Sequence, residues 1–190
     1  MASENENNEL DIIQKQNAGF SLWRFSLQFY AIKDIPNACL ILQDDCGADV
    51  NIVLFILWSA LNRRAFSSED ITKIENIVVD WREKIVVKLR SIRRDLRMGE
   101  GKPDVAALRQ QVKHAELESE RVEQLMLFEC AAGLGMKADP ELAAESSLRH
   151  YAASLGVVFP EVALRYMVKS ALYQIPLIGA HESSLKGRWP

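Results

Sequence analysis

CLILQDDCGADVNIVLFILW, residues 39–58, sets three aspartates and two cysteines directly ahead of a nearly unbroken apolar run. Its reading decides the fold, because it could hold a metal, enter a membrane or join two helices. Magnesium held against a diphosphate needs several carboxylates on one helix face, usually opposite a second cluster. Here Gly47 falls between Asp44 and Asp49, where a glycine ends a helix, and no second aspartate cluster occurs. An EF-hand loop beginning at Asp45 would need its bidentate glutamate where Ile56 stands. The longest uninterrupted apolar stretch, Ile52 to Trp58, is seven residues, against ~20 needed to cross a bilayer. No membrane span and no metal site are therefore expected. A helix ends at Gly47, and Asp49 caps the next one, VNIVLFILWSALNRR. That helix is apolar nearly all round and should be the buried centre.

Helical punctuation continues outward on both sides. Ser21 can cap a helix through LWRFSLQFYAI, with Phe20 and Phe25 at staple spacing. Asp34 and Pro36 open the helix that ends at Gly47. Ser67 or Ser68 starts the longest element, where Ile71, Ile74, Val78, Trp81, Ile85, Leu89, Ile92 and Leu96 form one stripe at three- and four-residue steps. GEGKP at 99–103 turns the chain, and a return helix follows with Val105, Leu108, Val112, Ala115, Val122 and Met126 on one face. Asp139 caps a further helix with Pro140 at its first position, and a last one runs between Pro160 and Pro176. No alternating strand pattern of useful length is present. The fold class expected is all-α: a single-domain helical bundle built on a long antiparallel helical hairpin, spanning 19–176. Residues 1–18 read as a disordered lead-in without the features of a secretory signal, and 177–190 as a frayed tail.

Composition narrows the function classes. The net charge of −3 exerts no global pull on nucleic acid or anionic lipid. Three cysteines cannot all pair within one chain and share no zinc-type spacing with the three histidines, so a reducing, cytoplasmic setting is expected. No serine or cysteine neighbours a histidine in a nucleophile turn, no glycine-rich phosphate loop exists, and no catalytic set or cofactor is assigned.

Two candidate sites remain. Gln43, Asp44, Asp49 and Asn51 surround the helix junction, with Trp23 and Trp58 as possible aromatic walls. The simpler reading gives them hydrogen bonds that fix the junction; the functional one makes them a small polar pocket. Arg90, Arg93 and Arg94 form a basic face, but recognition aromatics are not interleaved, and glutamates from Glu116 to Glu129 stand on the returning helix. A salt-bridged surface is expected there rather than nucleic-acid binding, with Arg82 and Lys84 level with Glu118 and Glu120.

The string WRFSLQFYAIKDIPNACLILQDDCGADVNIVLFILW, followed by VDWREKIVVKLRSIRRDLR and VKHAELESERVEQLML, resembles a family of small, mainly proteobacterial conserved hypothetical proteins with a domain of unknown function. The resemblance covers about residues 19–176. It implies a helical, cytoplasmic bacterial protein and brings no activity, cofactor or catalytic residue. The function expected is that of a non-enzymatic adaptor or regulatory subunit binding another protein. The alternative is a carrier for an apolar small molecule, lipid or isoprenoid, with Trp23, Tyr30 and Trp58 as walls. An enzyme with Asp44, Asp49 and Asn51 at its site ranks third.

Overall fold

The computed structural model describes residues 22–99 and 101–175. The lead-in 1–18, the Ser21 cap with its Phe20 staple and the tail 177–190 lie outside the described residues. Within them the all-helical expectation holds. Residues 22–30 form α1. α2 (Ile35–Cys46) ends at Gly47, whose φ of 68° is the left-handed geometry that a glycine adopts without strain. α3 (Val50–Leu61) starts at Asp49, whose side chain accepts from the Asn51 amide. The start of α2 differs from expectation: Asp34 itself takes a left-handed φ of 65°, and its side chain makes no capping hydrogen bond.

α3 is the centre of the molecule. Every residue from Asn51 to Leu57 is buried, and α2, α6 and α7 all pack on it. After α3 a two-residue strand β1 (Arg64–Ala65) pairs antiparallel with β2 (Met136–Lys137), an element too short to leave a sequence pattern. Gly135 is required there. Its φ is 87°, and an added Cβ would lie 2.8 Å from the Ala65 carbonyl oxygen. The Arg64 guanidinium lies over Phe55 and Phe66, 5.7 and 5.2 Å from the ring centroids, and donates to the carbonyls of Ala131 and Ala132 at the end of α6 (Pro103–Cys130). A cation there meets the negative end of the α6 dipole. α7 (Pro140–Ser154) carries the fully buried Tyr151, and α8 (Glu161–Lys169) runs on into a π-helical turn, Ser170–Gln174.

The long column before α6 is where the expected apolar stripe fails. α4 (Ser68–Trp81) opens with a reciprocal Ser67–Asp70 capping box and buries Ile71, Ile74 and Val78 as the periodicity predicts. A π-helical turn, Arg82–Val86, then interrupts the α-helix before α5 (Val87–Asp95) and a 3₁₀ turn, Leu96–Gly99. A π turn takes in one residue more than an α turn, so every side chain beyond it is rotated off the original stripe. Val86 is buried in place of Ile85, and Ile92 is exposed. α5 buries no residue at all. Column and α6 run in opposite directions: Gly99 sits beside Val105, and the Trp81 indole N–H donates to the Ser119 carbonyl at 2.9 Å.

This phase shift is testable. Val86→Ala should lower stability by about 1–3 kcal/mol, while Ile85→Ala, at 36% exposure, should stay within about 0.5 kcal/mol. Chemical denaturation of the two variants reads both, and the reverse ranking would mean an uninterrupted α-helix.

Candidate functional site

α6 turns an unexpected face inward. Its buried residues are Glu116, Ser119, Glu123, Gln124 and Leu127, not the Val105–Val112–Met126 face that hydrophobic patterning selects. The buried set also follows helical spacing, so it forms a continuous polar seam facing α1, the α2–α3 junction and the π turn.

A chain of amides crosses this seam. Ser26 Oγ on α1 donates to Gln124 Oε1, Gln124 Nε2 donates to Asn51 Oδ1, and Asn51 Nδ2 donates to Glu123 Oε2, each at 2.9 Å. Each buried amide thereby has a partner, the condition under which such groups are tolerated inside a protein. The chain ends at an acid pair. Asp49 Oδ1 accepts from the Asn51 amide at 2.8 Å, and Oδ2 receives Arg82 Nη1 at 3.2 Å. The Asp49 amide donates to the Tyr151 hydroxyl at 2.7 Å. Glu123, with no exposed surface, leaves Oε1 without a donor among the described residues.

The chemistry of that oxygen follows from its surroundings. Burial first, then the neighbouring Asp49 charge and hydrogen bond, push the Glu123 carboxyl up past neutrality, against the opposing pull of Asn51 and Arg82. Glu123 is thus held as the neutral acid, donating its proton toward Asp49. Burial, with the Asp49 charge as a second cause, raises the Tyr151 phenol as well, so it stays protonated.

The basic residues meet the outer part of the seam. Arg90 reaches Glu116 through Nε at 3.2 Å and Glu120 through Nη2 at 2.9 Å, and Arg93 pairs with Glu116. Burial alone would raise Glu116, but Arg93 and Arg90 together more than offset it and pull that carboxyl below its usual range. Arg94 sits 3.7 Å from Asp44 in an exposed pair. Arg90, Arg93 and Arg94 are therefore each paired with a carboxylate. The ion pairing differs from expectation: although Trp81 meets Ser119 at that level, Arg82 turns to Asp49 and Lys84 to Asp80 four residues before it.

Two cavities adjoin the seam. The larger, about 260 Å³, has Trp23, Leu27, Tyr30, Leu54 and Leu117 as apolar walls, with Ser26, Gln43, Asp49, Asn51, Arg90, Glu120 and Gln124 as polar lining. The smaller, about 170 Å³, lies between the Gln43–Asp49 junction and the π turn, against Arg82, Val86, Arg90 and Glu123. Of the sequence-derived pocket, Trp23, Gln43, Asp49 and Asn51 come together on the larger cavity. Asp44 does not line it; it accepts from Gln43 Nε2 at 3.0 Å and faces Arg94. Trp58 is also elsewhere, edge-on to Phe128 at the margin of the core. Asp49 caps α3 as read, but it is also an ion-pair partner. Glu120, Glu123 and Gln124 escaped sequence reasoning because glutamates on a charged helix carry no local mark of burial. No group of three or more histidine, cysteine or acidic residues suited to a metal ion is present among the described residues.

These features define an all-helical protein with a buried, charged seam opening on a small cavity. The chain belongs to the family described as "Protein of unknown function (DUF2390)", whose model matches residues 21–127. All residues lining both cavities fall inside that segment. No curated protein and no solved structure is found to match the chain. No helix among the described residues is long and apolar enough to cross a membrane.

The neutral Glu123 carries a pH signature. Its folded-state affinity for a proton exceeds that of the unfolded chain, so its stabilisation is complete below the unfolded pKa and is lost as pH rises toward the folded one. Wild-type stability should decline between about pH 5 and 9 relative to Glu123→Gln, by at most ~1.4 kcal/mol per pH unit. Parallel melting curves of the two proteins across that range would contradict the assignment.

Proposed function

We propose that this protein binds a small molecule whose apolar body occupies the 260 Å³ cavity between α1, the α2–α3 junction and α6. The observation that carries this reading is the convergence of two aromatic side chains of α1, Trp23 and Tyr30, with the hydrogen-bonded Ser26–Gln124–Asn51 floor. Apolar walls with a few placed polar groups are the usual make-up of a ligand site. The volume is at the small end for such sites, which favours a compact ligand over a lipid or isoprenoid chain. The Tyr30 phenol is held protonated, chiefly by burial and secondarily by Cys39, and so serves as a neutral contact. We further place the protein in the bacterial cytoplasm, a reading supported by its three free cysteines.

A second reading, an adaptor that holds another protein, is supported by the far end of the α5–α6 pair. There α5 buries nothing, and Ile92, Met98 and Leu108 stand exposed.

Amide NMR titration with toluene and indole tests the first reading. Shifts should cluster on Trp23, Tyr30, Leu54 and Leu117, and should vanish in Leu117→Trp, which fills the cavity from its exposed rim. Absence of saturable shifts with either probe would contradict a ligand site here.

A further inference from the structure

We infer that the two cavities form one site for a zwitterionic α-amino acid with an aromatic or branched apolar side chain, its charged head against Asp49, Glu123, Arg82 and Arg90 and its side chain against Trp23 and Tyr30. This rests on the ligand-binding reading above. The cavities share Gln43, Asp49 and Arg90, so the smaller is a polar annex of the larger. The annex presents both signs of charge with binding capacity left over. Among the described residues Arg82 engages only Nη1, and Arg90 only Nε and Nη2, leaving guanidinium N–H groups for a carboxylate. Asp49, and the wholly buried Glu123 once its proton has left, form the acceptor side.

Single-charge ligands fit this annex poorly. A bare amine would face Arg82 and Arg90, and a bare carboxylate would face the Asp49 charge. A head carrying ammonium and carboxylate on one carbon satisfies both, and its remaining substituent points to the apolar cavity. The π turn Arg82–Val86 is what brings Arg82 and Val86 to the annex wall, and such turns recur at functional sites.

Binding has a proton consequence. The groups that face Glu123 and Asp49 are Asn51 on α3, Glu75 on α4, Arg82 on the π turn, Arg90 on α5, Glu120 on α6 and Tyr151 on α7. In the empty site burial and the Asp49 charge favour a proton on Glu123, beside Asp49. An incoming ammonium takes its place, so Glu123 ionises and its proton leaves to solvent, with no bond made or broken in the ligand.

The experiment is calorimetric titration of the full chain near pH 7 with L-phenylalanine and L-leucine, and with phenethylamine, 3-phenylpropionate and toluene as comparisons. Two buffers of different ionisation heat count protons. The expected result is at least about tenfold tighter binding of an amino acid than of either single-charge analogue, with release of about one proton. In Glu123→Gln the proton release should disappear. Equal affinity for the analogues, or binding without proton release, overturns the inference. If toluene binds and amino acids do not, this inference fails while the apolar-cavity reading stands; if no probe binds, both fail.

Discussion

The Asp49 carboxylate is the point on which the helices are hung. One oxygen closes the start of α3, and the other receives Arg82 from the column that begins with α4. Its backbone N–H goes to Tyr151 on α7, and its side chain faces the acid of Glu123 on α6. A carboxylate with so many claims must be held at one place, and so must everything that claims it. The glycine turn at Gly47, the π turn at Arg82 and the inward rotation of α6 are all conditions for that meeting.

A seam of buried acids is a poor means of stabilising a fold. Ion pairs removed from water recover their desolvation cost only with good geometry and full hydrogen bonding, and apolar replacements of similar volume are often neutral or better. α6 has the valines and leucines for an apolar interface, yet it leaves Leu108 and Leu117 largely exposed while burying Glu116 and Glu123. An arrangement that gives up hydrophobic burial for a charged seam beside a cavity supports the ligand-binding proposal, and the fold tolerates it because α3 supplies a dry core elsewhere.

Much of the architecture is legible in the sequence because helix ends are written in local chemistry. Gly47, Asp49, the start at Ser67 and the Asp139–Pro140 start are each where the residues say. Trp23, Gln43, Asp49 and Asn51 could be grouped because they flank one junction. Beyond that, sequence runs out for physical reasons. A π turn has no compositional signature, yet it rotates every residue after Val86. On α6 two faces share the same period, one apolar and one acidic, and only the partners waiting on α1, α3 and the π turn decide which is buried. Trp58 shows the converse: it lies on the helix that forms the centre but points to Phe128, away from the cavity.

The proton on Glu123 is the element without which Asp49 and Glu123 would be two like charges in a dry interior. Its presence can be seen directly by following the side-chain carboxyl carbon of Glu123 by NMR through a pH titration, assigned by comparison with Glu123→Gln. The account predicts a carboxyl that remains in its neutral form through pH 7. A Glu123 signal that has already moved to its ionised position below pH 7 would contradict it.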